Sequence, residues 1–369
     1  MPGQSQPVEV DIDAAGSATA FEGIARGECD VGMASRIVTD AEAARIRAAG
    51  HGDVRAPGSE NFIGLDGIAV VVNASNPLKA LSAEDLARIF DGDTTSWAAF
   101  GGSGAIDVLA RDDRSGTYDT FKALVLGDHS LAASARRFAD NDALSAAVAG
   151  TRRPSDSRGC RTWGRPGRWR SRRRAAAIAP SRFSVATEDY SLSRRLYLYT
   201  PSPATHPLAV EFVAFAQSSE GQGIVDAEGF VDLAASAAKD DEGCSACPPA
   251  YTALMRGAKR LPYDLRFLSG SSELDSKAQR DVGRVAAAVH AQRGAQVVLL
   301  GFADNQGGSD ANLQVSRDRA KGVADRLEAY GVHPTVVDGL GDQMPVATND
   351  NLAGRQRKSE RRGVDQTGR

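Results

Sequence analysis

Residues 111–122 read RDDRSGTYDTFK. An arginine leads, two aspartates follow, and Ser115-Gly116-Thr117 opens what the pattern predicts to be a helix reaching about Gly127. The N-terminus of a helix offers free N–H groups and about half a positive charge. Ser115 and Thr117 add hydroxyl donors at the first turn, and Gly116 lets a ligand approach the backbone closely. Arg111 can grip an oxyanion with two parallel N–H bonds and does not lose its charge. A second strand-to-helix passage, Gly16-Ser17-Ala18-Thr19, has the same makeup. Two such N-termini facing each other could cradle a tetrahedral anion. Ser and Thr at these positions are also ordinary helix caps, so spacing alone leaves both readings open.

Outward from this stretch, residues 1–150 alternate short apolar runs with helix-period segments. VEVDIDA (8–14), CDVGMAS (29–35), GIAVVVN (67–73) and AIDVLAR (105–111) read as strands. ATAFEGIARGE (18–28) has a helical period. SAEDLARIFDG (82–92) opens with a capping signal, Ser82 before Glu84 and Asp85, and puts Leu86, Ile89 and Phe90 on one face. Strand–helix alternation predicts an α/β fold with a mostly parallel sheet. Similar patterning returns at FSVATEDYSLSRRLYLYT (183–200), with a helical stretch after it over 209–230. An Ala-, Asp-, Cys- and Pro-rich linker follows at about 235–258.

The chain has 369 residues, 42% hydrophobic and 25% charged, which predicts two or three globular domains. No run of about 18 apolar residues is present, as a membrane-spanning helix would require. MPGQSQPVEV lacks the charged region and apolar stretch of a secretion signal. The net charge of −3 hides an asymmetry: residues 151–174 hold ten arginines and one aspartate, leaving −12 for the remainder. Of the four cysteines, Cys244 and Cys247 lie close together in the linker. They read either as a disulfide closing a tight loop in an oxidising compartment or as unpaired linker thiols. Neither two further zinc ligands nor a redox strand-to-helix turn accompanies them.

Residues 8–127 resemble the phosphate-binding proteins of ABC importers, the PstS-like branch of the type II periplasmic solute-binding proteins. The resemblance rests on GSATAFEGIARGECDVGMASR, on ARDDRSGTYDTFK, and on LDGIAVVVNASNPLKALSAEDLARIFDGDTTSWAAFGG with its landmarks Leu86, Ile89-Phe90, Trp97 and Gly101-Gly102; it resumes at 183–235. It implies a two-lobed binding domain over residues 1–235, and it carries the family's phosphate contacts onto Ser17, Ser35, Arg111, Ser115, Gly116 and Thr117. Two departures accompany it. Arg36 stands where the best-known members place an aspartate that accepts the phosphate proton, although a related branch also has arginine there; Asp66 or Asp113 could supply an acceptor. The family also begins with a strand and an anion-touching loop that lie before the first residue of this chain.

Segment 151–182 breaks the pattern. Its arginines and two tryptophans admit three readings: a basic patch for nucleic acid or anionic lipid, a solvated insert, or a stretch read in a shifted frame. The frameshift reading leads, because the family has apolar strand-and-turn sequence there; it implies a second lobe short of a core strand and weakened anion binding. No nucleic-acid partner is expected.

From 259 to 369 the pattern is a small β-α-β-α-β module. YDLRFLSGSSELD (263–275), AQVVLLGFAD (295–304) and TVVDGLG (335–341) read as strands. SKAQRDVGRVAAAVHAQRG (276–294) reads as a helix with Val282, Val285, Ala286 and Val289 inward, and NLQVSRDRAKGVADRLEAYG (312–331) as a helix capped by Asn312 and closed by Gly331. Asp304 at a strand end and Arg319 on the helix could form a plain salt bridge or hold a zwitterion. The module resembles an OmpA-like peptidoglycan-binding domain, with Asp304, Asn312, Val315-Ser316 and Arg319-Ala320 matching its pattern and GLGDQMPVATNDNLAGRQR matching a later one. That resemblance implies binding of the diaminopimelate side chain through Asp304 and Arg319. Phe302-Ala303 replace the usual His-Thr, and QRKSERRGVDQTGR departs from the family's closing strand.

Together these features predict a non-enzymatic cell-envelope protein that binds phosphate or a similar oxyanion, works with an ABC permease and is held to peptidoglycan. Its expected place is the periplasm, beside the outer membrane. Neither a cofactor nor a metal is expected. A phosphatase-like hydrolase is the first alternative, although the five histidines do not cluster with acids and Ser115 has no nearby base. A wall anchor that has lost its ligand is the second.

Overall fold

A computed structural model describes residues 10–13, 16–78, 80–113, 115–150, 170–172, 177–204, 206–233, 249–255, 257–267, 271, 273–303 and 308–341, with 170–172 and 177–178 by backbone alone. In chain order the first elements are α1 (Ser17–Arg26), β1 (Gly32–Ala34), α2 (Asp40–Ala48), β2 (Glu60–Gly67), β3 (Ala80–Leu81), α3 (Ala83–Phe90), β4 (Leu109–Arg111), α4 (Gly116–Phe121), β5 (Arg136–Phe138) and α5 (Asn141–Ala149). Next come β6 (Arg170–Arg172), β7 (Ala177–Ile178), α6 (Arg182–Ala186), β8 (Ser193–Tyr199), α7 (Pro207–Gln217) and α8 (Ser219–Ala227). The last are α9 (Pro249–Leu254), α10 (Ser276–His290), β9 (Val298–Gly301), α11 (Ser309–Glu328) and β10 (Val336–Gly339). The fold is mixed α/β.

The sheet that organises the N-terminal part has the order β1-β8-β2, and both of its pairings are antiparallel. Parallel pairing occurs in β3 with β6, β4 with β5, and β9 with β10. The expectation of a mostly parallel sheet is therefore corrected for this sheet. Its middle strand comes from the returning segment 183–200 and runs against both neighbours. A second correction concerns GIAVVVN. The strand lies one segment earlier, in ENFIGLDG, and pairs with β8 until Gly67 meets Ser193. Beyond that register β8 has no further residues to offer, and 68–73 retain only an isolated bridge. Residues 10–13 of VEVDIDA form no strand and leave Val10 and Ile12 exposed.

A core of Phe21, Ile24, Ile46, Phe62, Tyr197 and Tyr199 fills the space between α1, α2 and this sheet. Phe21 and Tyr199 meet edge to face, centroids 5.1 Å apart, a geometry worth about 0.5–1.5 kcal/mol beyond burial. Leu86 and Ile89 of α3 and Phe121, Leu124 and Leu126 after the SGT turn continue the same cluster, as the capping box of α3 positions them: Ser82 accepts from the Asp85 N–H at 3.0 Å and Asp85 accepts from the Ser82 N–H at 3.0 Å. In the C-terminal module Leu274, Ala278, Val282, Val285 and Ala286 pack with Val323 and Leu327. The expected first strand of that module is a single bridge, Phe267 with Leu274. Its second helix starts at Ser309, three residues earlier than expected, so Asn312 lies inside α11 and does not cap it.

The second lobe's anomalous segment, 151–182, contributes the backbone of β6, which adds to β3 in parallel. Its arginines and tryptophans at 151–169 lie outside the described residues, as do Cys244 and Cys247. No helix among the described residues is long and apolar enough to cross a membrane.

At the mouth of α2, Glu42 closes a capping box with Thr39 and takes both terminal nitrogens of Arg36, at 2.8 and 2.7 Å. Burial pushes the Glu42 carboxyl up, but Arg36 and Thr39 outweigh burial and hold it below the usual glutamate range. A carboxyl depressed in the folded state stabilises above its unfolded value and loses that contribution as pH falls through the folded one. Glu42→Gln is therefore expected to lower stability at pH 7 by about 1.5 kcal/mol, the low end for bonds to a charged group. The difference should shrink below about pH 4.3, the unfolded value, and vanish only below the depressed folded one. Urea unfolding at pH 7 and pH 3.5 measures this; an equal difference at both values would remove the ionised carboxylate from the account.

Candidate functional site

The site begins where α1 meets β1. Gly32 admits the helix to the strand: a Cβ there would stand 2.8 Å from Ile24 Cδ1 and 3.2 Å from Ala20 Cβ. With the two elements this close, Ser17 at the start of α1 reaches Ser35 just past β1. The Ser35 N–H donates to Ser17 Oγ at 3.0 Å, and the two hydroxyl oxygens are 3.4 Å apart. Ser17 does not cap its own helix. The cap position is Gly16, at φ 118°, a backbone region that suits glycine, and no side chain bonds there.

The SGT turn forms as expected after β4. The Ser115 N–H donates to Asp112 O at 3.1 Å, Ser115 takes the cap position without a side-chain capping bond, and α4 runs on as a wider turn over Lys122–Leu126. Gly116 opens α4 at an exposed position. Neither serine is thus consumed as an ordinary cap.

A cleft of about 1730 Å³ joins these ends, and Ser17, Ser35, Arg36, Gly116, Thr120 and Arg194 are among the residues that line it. That volume exceeds what one small oxyanion fills. Leu208, Phe212 and Phe215 of α7 line it as well. Of the residues singled out from sequence, Ser17, Ser35 and Gly116 share the cleft. Arg111, Ser115 and Thr117 do not line it. Arg111 donates to Phe138 O at 3.3 Å, to Ala139 O at 2.8 Å and to Asn141 Oδ1 at 2.5 Å, fastening β4 to β5 and the start of α5. Ser115 is buried.

The cation that does line the cleft beside Gly116 is Arg194 on β8. Its Nη1 donates to Gly116 O at 2.8 Å and to Thr120 Oγ1, while Nε and Nη2 reach Asp66 Oδ2 at 2.8 and 2.7 Å. It ties β8 to α4, the SGT helix. Of the two candidate acceptors, Asp66 is engaged here, whereas Asp113 pairs with Arg137 on the surface. The side chain of Arg36 turns to Glu42 and lies 4.9 Å from the Phe21 ring. Sequence reasoning missed Arg194, although a signal was available: SRRLYLY places two arginines inside an otherwise apolar strand. Among the described residues no group of three His, Cys, Asp or Glu side chains could hold a metal ion.

In the C-terminal module, Gly301 and Gly339 let α11 lie directly on β9 and β10. A Cβ on either would fall within 1.9–2.3 Å of Ser316 atoms. The Ser316 hydroxyl accepts from the Gly341 N–H at 2.9 Å. Arg319, one turn further, donates to Phe302 O at 3.4 Å and stacks 5.3 Å from the Phe267 ring. Asn312 is buried on the same helix, and its Nδ2 has no hydrogen-bond partner among the described residues. Asp304 lies outside them.

Comparison with known proteins fits this architecture. Residues 3–220 match the family described as PBP superfamily domain, and residues 266–359 match the OmpA family. The phosphate-binding protein PstS of Pseudomonas aeruginosa is 27% identical over 260 residues, covering 63% of this chain and 76% of that protein. Protein SphX of Synechococcus elongatus is 30% identical over 130 residues, 33% of this chain and 37% of that protein. Among solved structures, an ABC-type phosphate transport receptor from Vibrio cholerae aligns over 59% of this chain and 85% of that one, at 23% identity and a TM-score of 0.46. The chain belongs to the PBP superfamily, in its PstS-like branch, and carries an OmpA family domain at its C-terminal end.

Proposed function

We propose that this protein binds phosphate or a similar oxyanion in the cleft and is held to peptidoglycan by its C-terminal module, without catalysing a reaction. The observation that carries the reading is the meeting of Ser17, Ser35 and the exposed Gly116 end of α4 in one cleft, with both serine hydroxyls unused as helix caps. Hydroxyls and helix N-termini are neutral donors; Arg194, itself paired with Asp66, stands beside them. The names of the relatives in Pseudomonas aeruginosa and Vibrio cholerae, a phosphate-binding protein and a phosphate transport receptor, support phosphate as the first anion to test. The remaining roles proposed from sequence, Arg111, Ser115 and Thr117 on the anion and Asp304, Asn312 and Arg319 on the cell-wall peptide, belong to the same reading. So do the divisions 1–235, 236–258 and 259–369, an ABC permease as partner and a periplasmic location at the wall and outer membrane.

A second reading has one observation in its favour. Arg111 is committed to three backbone and side-chain oxygens of β5 and α5, so the chain could be a wall anchor whose cleft no longer holds the anion.

Calorimetric titration of the full chain with phosphate separates the two. Saturable binding is expected, and Ser17→Ala should weaken it about tenfold, one hydrogen bond to a charged ligand. No heat up to millimolar phosphate would favour the anchor reading. Phosphate release from p-nitrophenyl phosphate is expected to stay at the buffer rate; turnover that Ser115→Ala abolishes would replace binding with hydrolysis. For the module, sedimentation with purified peptidoglycan should retain the parent chain and lose about tenfold with Arg319→Ala. Equal retention would sink that site.

A further inference from the structure

The C-terminal module meets the N-terminal domain through charges that are almost fully buried. Arg195, next to Arg194 on β8, points to the opposite face, as successive strand residues do. Its Nε and Nη2 donate to Glu188 at 2.8 and 2.7 Å, and its Nη1 donates to Asp275 Oδ2 of the C-terminal module at 2.9 Å. Arg195, Glu188 and Asp275 are 7%, 5% and 1% exposed. From the same module Arg266 approaches Glu188 at 3.3 Å, and Arg260 donates to Asp189 at 2.6 Å. At the edge of β2, Ser276 donates to Glu60, and Arg280 donates to Glu60 O at 2.8 Å and Asn61 Oδ1 at 3.1 Å. Lys277, itself paired with Asp281, lies 5.6 Å from the Phe62 ring.

We propose that the C-terminal module is docked on the β1-β8-β2 sheet as a fixed partner, so that the solute-binding domain and the wall-binding module form one rigid body. Three features argue against a loose tether. Charges are stable out of water only when each has its partner, and here Asp275 completes the coordination of Arg195 from across the boundary. Asp275 also caps α10, accepting from the Ala278 N–H at 2.8 Å, so the residue that closes the network also fixes the helix that meets β2. Finally, Glu188, the carboxylate shared by Arg195 and Arg266, sits at φ 55°, a left-handed backbone that a non-glycine residue keeps only where its surroundings hold it. Acid meets base across the boundary in both directions: Glu188 faces Arg266, Asp189 faces Arg260, and Asp275 answers Arg195. With the module fixed, wall binding sets the direction in which the cleft opens.

Hydrogen–deuterium exchange on the full chain tests this without any ligand, so its outcome is independent of whether the cleft binds phosphate. Arg195→Met is expected to raise exchange at least tenfold in α10, across the boundary from the substitution. If that variant does not fold, Arg280→Ala at the rim is expected to raise exchange in both β2 and α10. Effects confined to the substituted residue's own module would overturn the proposal. So would two separate unfolding transitions of the parent chain with no shift in one when the other is perturbed.

Discussion

β8 is the constraint on which the rest depends. Seven residues, SRRLYLY, form the middle of an antiparallel sheet and hold β1 on one edge and β2 on the other. The large side chains Tyr197 and Tyr199 enter the core, and the one hydroxyl that Tyr199 takes with it is satisfied at both ends: it accepts from the Val38 N–H at 3.3 Å and donates to Glu60 at 3.1 Å. A buried phenol left without partners costs more than its hydrogen bonds gain, so β1, β2 and the turn before α2 must all stand where β8 needs them. Placing Ser35 against Ser17 is a by-product of that demand, because Ser35 follows β1 directly.

How much of this was legible in the sequence depended on whether the deciding partner was local. α3 was read correctly because Ser82 and Asp85 are three residues apart and satisfy each other. α10 was read correctly because its apolar stripe, Val282, Val285 and Ala286, falls on one face at helical spacing and packs with Val323 and Leu327 of α11. The strand at 60–67 was missed because GIAVVVN has the stronger β composition. Pairing is decided by where β8 ends, and β8 lies more than a hundred residues away. Asn312 was mistaken for a cap by the same local logic: it is a good capping residue, but the helix gains another turn by starting at Ser309.

The site was legible in the same uneven way. Ser17 and Gly116 stood out because helix N-termini after strands are local patterns, whereas Ser35 entered only through the family resemblance. The position of Arg111 was not, since its side chain is drawn to Phe138 O, Ala139 O and Asn141, all more than twenty residues downstream. An arginine with five donors goes where acceptors are dense, and the crossing of β4, β5 and α5 supplies three oxygens at once. The cation beside Gly116, Arg194, therefore comes from a different strand than the motif that marks the cleft.

Two adjacent arginines on one strand would be a poor choice if both served a single face. On β8 they serve two. Arg194 has Asp66 and the carbonyl of Gly116 on one face, and Arg195 has Glu188 and Asp275 on the other. Each charge is answered by acids on its own side, and a one-residue slip of β8 would turn every one of its side chains to the opposite face. A strand of leucines would bury as much surface and would be cheaper to desolvate. It would not distinguish the face that meets α4 from the face that meets α10.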